Sequence, residues 1–572
     1  MADQVLRQMA AEKGIRVSQN GRRSSDGPER PFTDAGNGEL FADLYGEELK
    51  FDHRRGKWLR FRGHWWEPDA DGYATRRAKE LARARLRAAT SMHDPDRQKV
   101  AVKWAFASES RARIQATLAL ATTEEPITDP GDSWDSDPWL LGVANGVVNL
   151  RTGELQSGKP GDRILLHSPV EYRPDARSDL WDKVVSAAFA DDADKSAYFR
   201  RAVGYSITGS TAEQKVFAAY GGGSNAKGTL LNTIAAVLGG YSHNLPFSSL
   251  EVRRQESIPT DLADLPGKRF VTASETNEGV LLNAARFKAL SGGDPITARH
   301  LHRDFFTFRP AAKLWLMLNH KPIVTDDSYA FWRRLALIPF LVTWVIDCPS
   351  PSPECTHSHA DLQLDAKLWI ERNGILAWLV RACLEYQREG LQAPPSIRMA
   401  TDDYRLSSDK FTPFVEARLV PDATETSSTD LWIAYSAWAD SEQIPQRERL
   451  TRSAFGRRLG ERFQRDHRRR GAFYKGVRLR REGDPEDVWP HANARGREAG
   501  DGFSDPSQVQ CDGFLPPAGF SQEQSDSREK TPQEHQTRHN SSRRTPEEIM
   551  AALQAACDEA GFPRDPSRET RL

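Results

Sequence analysis

The run Gly221-Gly222-Gly223-Ser224-Asn225-Ala226-Lys227-Gly228-Thr229 has the residue types of an anion trap. An apolar, β-prone run, Val216 to Tyr220, precedes it, and a helical run, Leu230 to Leu238, follows and stops at Gly239-Gly240. In a strand–glycine loop–helix unit, backbone N–H groups and the helix N-terminus face phosphates while a lysine reaches the β/γ oxygens. Lys227 stands where that lysine is needed. The spacing is Gly-x-x-x-x-Ala-Lys-Gly-Thr. Ala226 replaces a second glycine, Gly228 takes the place of the usual Mg²⁺-binding hydroxyl, and Thr229 lies one residue later. Taken alone, such a loop is as often a plain turn as a phosphate site.

Downstream residues supply the rest of a nucleotide chemistry. Phe270 to Ser274 is an apolar strand that ends in Glu275, where a carboxylate can hold Mg²⁺ or polarise an attacking water. Asn319 ends the next apolar run, 313–318, where a neutral amide can orient water or sense a γ-phosphate. Arg333 and Arg334 follow, and one of them fits an arginine finger for a neighbouring subunit. Singly, a strand-end Glu is a solvated cap and two arginines are a surface. All of them in this order are hard to obtain by chance. Open α/β sheets place their chemistry at such strand ends.

These residues sit in a chain of 572 residues, enough for roughly four modules. Residues 1–35 are polar and without period, and read as disordered. From 36 to 75 short aromatic runs read as strands, with turns at Arg62-Gly63 and Asp71-Gly72. Residues 75–122 read as two helices, Asn145-Gly146 as a hairpin turn, and 178–207 as helical again. No stretch approaches the ~20 apolar residues of a membrane span, and no apolar secretory leader is evident. Five cysteines are too few and too scattered for a disulfide framework, so a reducing, cytoplasmic compartment is expected. Cys348, Cys355, His357 and His359 match no common zinc spacing and read as a loop. Asp69-Ala70-Asp71-Gly72 is turn chemistry, so a primase carboxylate pair is not expected there.

The net charge of −1 conceals a strong asymmetry. Residues 447–481 hold fourteen Arg/Lys against three Asp/Glu, and residues 482–572 hold ten against eighteen. A basic segment with interleaved aromatics suits phosphate contact.

Residues about 190–345 resemble the superfamily 3 helicases, an AAA-like ATPase group of viruses and plasmids. They are most similar to the helicase half of phage and plasmid primase–helicase proteins, themselves similar to the poxvirus primase–helicase. The resemblance rests on Gly221–Thr229, Gly267–Glu275, Phe287–Arg299, Asn319–Pro322 and Phe331–Phe340. Phe32–Gly38 and the Trp-rich run after it resemble the module that precedes the helicase, and residues 375–391 fit the helical segment that follows it. The resemblance implies a P-loop ATPase core using ATP and Mg²⁺, a hexameric ring, and 3′→5′ movement on single-stranded DNA. Lys227 would hold phosphates, Glu275 (with Thr229) Mg²⁺, and Asn319 the γ-phosphate. A channel hairpin carrying His302 and Arg303 at its tip, with Lys288 and Arg299 nearby, would track DNA.

The expected organisation is therefore multi-domain α/β. A disordered start (1–35) leads to an α+β module (36–185), then the ATPase core with its following helices (186–395). A winged-helix domain (396–481) follows, with Thr429 as a helix cap and Arg457, Arg458, Arg468, Arg469 and Arg470 as DNA contacts. An acidic tail (482–572) closes the chain, unfolded over 482–540 and ending in an amphipathic helix from Thr545. That helix reads equally as a docking peptide for a separate primase, single-strand binding protein or polymerase, or as a segment packing on its own winged helix. The expected function is ATP-dependent DNA unwinding in phage, plasmid or mobile-element replication. The rivals are an initiator or loader without processive unwinding, and a DNA-binding scaffold whose nucleotide site has decayed at Ala226 and Gly228.

Overall fold

The computed structural model describes residues 30–252, 260–275, 278–301, 304–345, 358–469, 471–485 and 488–489. The unit 491–572, with the expected tail helix, lies outside the described residues.

Helix α1 (Asp34–Tyr45) begins where disorder and then strands were expected. The Thr33 hydroxyl accepts the Gly36 N–H at 3.0 Å, and Arg30 pairs with Glu39 and Asp43 one and two turns in. Strands β1 (Leu49–Asp52), β2 (Lys57–Phe61) and β3 (Trp66–Pro68) are antiparallel. Three helices follow, α2 (Tyr73–Thr90), α3 (Pro95–Ser108) and α4 (Arg111–Ala121), where two were expected. Asp94, before Pro95, and Ser110 each cap a fresh start, and the extra break falls at these polar residues. Asp69 accepts the Tyr73 and Ala74 N–H groups at the start of α2, and Asp71 pairs with Arg76. Strand β4 (Thr128–Asp129) joins β1 in parallel.

Strands β5 (Leu140–Val143), β6 (Gly146–Asn149) and β7 (Glu154–Gln156) form a meander. Its first turn is Ala144-Asn145, one residue ahead of the expected Asn-Gly. Asn145 is held there because its amide and carbonyl bond the backbone of Tyr172 at 3.0 and 2.9 Å.

Helices α5 (Asp179–Ala188) and α6 (Ala193–Ser206) lead into the central sheet. Strand β8 (Val216–Tyr220) is followed by helix α7 (Lys227–Leu238), β9 (Ser242–Asn244) and β10 (Phe270–Ser274). Helix α8 (Ala284–Gly292) and the hairpin β11 (Ile296–Ala298) and β12 (Phe306–Phe308) precede β13 (Lys313–Leu318) and β14 (Leu335–Pro339). The five long-range partners are all parallel, in the order β14-β8-β13-β10-β9. Both faces of the four longer strands, β8, β10, β13 and β14, are buried, which is why these read as apolar runs; β9 is a short polar edge. Phe217, Trp315, Phe270 and Ile338 fill one face, with α5, α6, α7 and helix α9 (Arg372–Glu389). Ala218, Leu316, Val271 and Leu337 fill the other, with Phe287 of α8.

The N-terminal edge of this sheet is tied down by two buried cations. Arg269 donates to Ile207 O, Asp137 O and Leu140 O at 3.0, 3.2 and 2.6 Å. Lys313 donates to the carbonyls of Thr208, Ser210 and Ala311. The meander is thereby fixed to the sheet.

Helix α10 (Pro395–Ser408), assigned from sequence to the C-terminal domain, belongs with the sheet instead. It runs along the edge strand β14, where Thr401 Oγ1 accepts the Leu337 N–H at 3.0 Å, and Tyr404 joins the core of that face. Beyond it, α11 (Thr412–Arg418), β15 (Leu419–Ser427), α12 (Ser428–Ser441), α13 (Arg452–Arg462), β16 (Gln464–Arg468) and β17 (Gly471–Leu479) build a separate core. Phe414, Leu431, Tyr435, Phe455 and Tyr474 fill it, and the strand order is β15-β17-β16. Ser427, not Thr429, caps α12, because Ser427 Oγ is placed to accept the Asp430 N–H. The fold also continues past residue 481: Asp484 pairs with Arg478, and Trp489 Nε1 donates to Leu419 O at 2.9 Å. Among the described residues no helix is long and apolar enough to cross a membrane.

Candidate functional site

Gly221 ends β8 under a close approach. A Cβ there would lie 2.2 Å from the Phe340 carbonyl oxygen and 2.1 Å from Asn225 Nδ2, so no side chain fits. Asn225 uses that space: Nδ2 donates to Phe340 O at 3.1 Å, and Oδ1 accepts from Lys227 Nζ at 2.9 Å. Ser224 and Ala226 are both left-handed, with φ of 46° and 62°. The turn thus brings Lys227 to the first position of α7 with its ammonium pointing back under the loop.

Lys227 is 5% exposed, and Nζ also donates to Gly221 O at 2.6 Å and Asn319 Oδ1 at 3.3 Å. All three acceptors are neutral. Burial with no counter-charge pushes its pKa down to about 8. Asn319 follows β13 and Glu275 follows β10, so β8, β13 and β10, side by side, deliver all three residues to one C-terminal edge. Glu275 is 8% exposed; its Oε2 accepts the His320 N–H at 3.1 Å, while Oε1 is buried without a partner. Burial raises the carboxyl's pKa, and the His320 N–H opposes that rise only in part. A Cβ at Gly228 would meet nothing closer than Asn232 Nδ2 at 3.8 Å, so this position leaves open space above the helix start; Gly222 and Gly223 are similarly open. Thr229 sits half-buried in the first turn of α7.

A desolvated ammonium, a neutral amide and an unsatisfied carboxylate oxygen along one sheet edge can together take a phosphate chain and its cation. The described residues hold no cluster of three or more His, Cys, Asp or Glu suited to a metal of its own.

Arg333 and Arg334 are not brought to this site. They precede β14, whose Leu335 pairs with Val216 at the start of β8, so they lie at the opposite edge, about 16 Å of strand away. Arg333 is exposed and bonds Gln214. Arg334 bonds Ala330 O, while its Nε is buried without a partner. Burial, with Arg333 beside it, lowers the pKa of Arg334.

The basic residues divide in the same way. The hairpin β11–β12 pairs Ile296 with Phe308 and Ala298 with Phe306, and Arg299 lies 4.9 Å over the exposed ring of Phe305. His302 and Arg303, at its tip, lie outside the described residues. Lys288 is paired with Asp326 at 2.9 Å, and Lys313 is a buried structural cation. In the C-terminal domain Arg457 and Arg469 are exposed, whereas Arg458 is 9% exposed and holds Asp409 and Asp327 at 2.5 and 3.2 Å. Arg458 is thus a tether, since two carboxylates already take its charge. Arg468 bridges Glu425 and Asp466 on the sheet surface, and Arg470 lies outside the described residues. So do Cys348, Cys355 and His357.

Residues 38–190 match the D5 N terminal like family, and residues 219–334 match a family of unknown function. A protein of Acanthamoeba polyphaga mimivirus named “putative helicase” is 28% identical over 298 residues, 50% of this chain and 31% of that protein. A “putative helicase” of Frog virus 3 is 25% identical over 383 residues, 54% and 39% of the two chains. A “putative primase” of African swine fever virus is 26% identical over 326 residues, 53% and 33%. The chain is thus similar to viral proteins named as putative helicases and primases. It spans about a third of the length of the curated relatives it matches. The apo C-terminal region of NrS-1 overlaps 66% of the chain and 78% of its own, at 10% identity and a TM-score of 0.37. The D5 N terminal like match takes in α1 through α5, and the second match takes in the glycine loop, Glu275 and Asn319.

Proposed function

We propose that this chain is an ATP-dependent DNA helicase of superfamily 3 acting in DNA replication, built on a P-loop ATPase core. The observation that carries the reading is the convergence of Lys227, Asn319 and the half-satisfied Glu275 at the C-terminal edge of a five-stranded parallel sheet. Binding of ATP would exchange the neutral acceptors of Lys227 for phosphate oxygens, a stronger, charge-assisted set. Glu275 Oε1 and Thr229 would hold Mg²⁺ or its waters, and the ion would supply charge neutralisation to the phosphates. Glu275 positions the attacking water, and its raised pKa lets it take a proton from it. Asn319, on the rim between the two, orients that water and the γ-phosphate.

Arg333 or Arg334 acts on a neighbouring subunit's nucleotide, since neither reaches its own, which supports a ring, expected to be a hexamer. In this reading the C-terminal domain is a winged helix that meets DNA through residues such as the exposed Arg457 and Arg469, and the hairpin β11–β12 would face single-stranded DNA. The left-handed Ala226 favours a second reading, a DNA-binding scaffold with a decayed site. A DNA-stimulated ATPase assay with a Lys227→Ala control decides. Turnover that falls by at least about 10²-fold in the variant supports the enzyme, and equal rates in both chains overturn it. Forked-duplex unwinding then separates a helicase from an initiator or loader.

A further inference from the structure

A cleft of about 300 Å³ lies between the sheet and the C-terminal domain, on the far side of the turn that carries Asn319. Its core wall includes Tyr220, Gly279, Lys321 and Tyr404, and its other wall includes Lys410 and Arg447. Two of its cations make no ion pair among the described residues. The Lys321 ammonium sits between two rings, 5.4 Å from Tyr220 and 5.5 Å from Tyr404, and makes no ion pair among the described residues. Arg447 likewise makes none. Its guanidinium lies against Gly279, where a Cβ would come within 2.4 Å of it, so a side chain there would push the guanidinium aside. Lys410 is already matched, by Glu448 at 3.7 Å.

Lys321 and Arg447 therefore reach the cleft from different domains, with Glu278 the exposed carboxylate beside them. Tyr404 is not a base-stacking surface, because it is 3% exposed and its hydroxyl bonds Pro322 O. What the cleft offers is charge and donors: Lys321, Arg447 and the hydroxyls of Ser407 and Ser408, which also line it. An ammonium and a guanidinium lining one small space suit an oxyanion such as phosphate.

We propose that this cleft is a second phosphate site, distinct from the glycine loop, in which Lys321 and Arg447 together take a phosphate group. The group is either a phosphodiester of single-stranded DNA or free inorganic phosphate. The site shares a wall with the nucleotide site through His320, whose N–H holds Glu275.

The test uses the full chain in a Lys227→Ala background, which weakens phosphate capture by the glycine loop. Inorganic phosphate is titrated by calorimetry, and a fluorescein-labelled oligo-dT by anisotropy over a range of salt. Lys321→Met and Arg447→Met are each expected to cut affinity about tenfold for the anion that belongs there. Loss for oligo-dT, with a shallower salt dependence, identifies the strand backbone; loss for phosphate alone identifies the free ion. Unchanged affinity for both anions in the double variant overturns the proposal. If the double variant melts early, Glu278→Gln replaces it. Glu278 is exposed at the cleft and opposes an anion there, so removing its charge should raise affinity about threefold, and no rise overturns the proposal. ATP turnover of the unsubstituted chain is followed in parallel; its absence would sink the helicase reading and leave this site standing.

Discussion

The two edges of the central sheet both bury a lysine, and they treat it differently. At the N-terminal edge Lys313 is surrounded by three backbone carbonyls, and Arg269 beside it by three more. Those acceptors belong to fixed segments, and nothing about them is left open. At the C-terminal edge Lys227 is held by a side-chain amide on either hand and one loop carbonyl, and the nearby Glu275 keeps an oxygen without a partner. A cation satisfied by backbone is part of the frame. A cation satisfied by groups that can turn away is kept ready for something else.

That contrast can be broken by experiment. The largest effect is expected across a subunit boundary. Arg333→Ala and Arg334→Ala should both bind ATP, and one should lose about 10³-fold in turnover. Mixing that variant with Lys227→Ala subunits should restore activity, because each supplies the part the other lacks; mixtures that stay inactive at every ratio would remove the shared-site arrangement.

At the frame edge, Lys313→Met should lower stability by about 2–3 kcal/mol, since three carbonyls lose their donor. ATP affinity per folded molecule should not move. A melting curve and a nucleotide titration on the same preparation check both, and a loss of affinity without a loss of stability would erase the distinction between the edges.

Glu275→Gln sharpens the contrast from the other side. The raised carboxyl pKa means that the native chain holds a proton the unfolded chain has released, over the window between the unfolded value near 4.5 and the higher native one. Stability therefore falls as the pH rises through that window and remains lower at neutral pH. Glutamine, which mimics the protonated form, should raise the melting temperature at pH 7 by a few degrees and abolish turnover, with no gain below about pH 4. A lower melting temperature at pH 7 would show that Glu275 is a structural group.

The smallest effect belongs to Ala226. Glycine relieves a left-handed alanine but adds freedom to the unfolded chain, so Ala226→Gly should gain about 0.5 kcal/mol. Chemical denaturation reads it, and a loss of stability would mean that the methyl packs usefully in the loop.

The central strands were legible because a strand buried on both faces is an apolar run, and Val216–Ala219 and Leu314–Leu318 are such runs. Strand β9, Ser242-His243-Asn244, was not, since a short polar edge carries no such mark. Helix α10 was assigned to the wrong neighbour because its apolar residues do not all turn inward: Met399 and Leu406 are exposed, while Ile397, Thr401 and Tyr404 record the contact with the sheet. Charge was the least legible feature. Arg457 and Arg458 are adjacent, yet one is exposed and the other is clasped by Asp409 and Asp327, 49 and 131 positions away. The same applies to Lys288 and Asp326. The cleft's Arg447 had no local signal either, because Gly279, which makes room for it, lies in another domain.

Helix α10 has a consequence for how the chain is made. An edge strand with bare N–H and C=O groups is a template onto which a foreign strand can zip. Strand β14 is apolar and lies at such an edge, and the helix that covers it is translated 64 residues after the strand, counting from Leu337 to Thr401. Until that helix emerges from the ribosome the margin of the sheet is sticky, and any product cut short before Pro395 keeps it so. Expression trials that trim the C-terminal domain before Pro395, and not after Ser408, should deliver inclusion bodies in place of an isolated sheet domain.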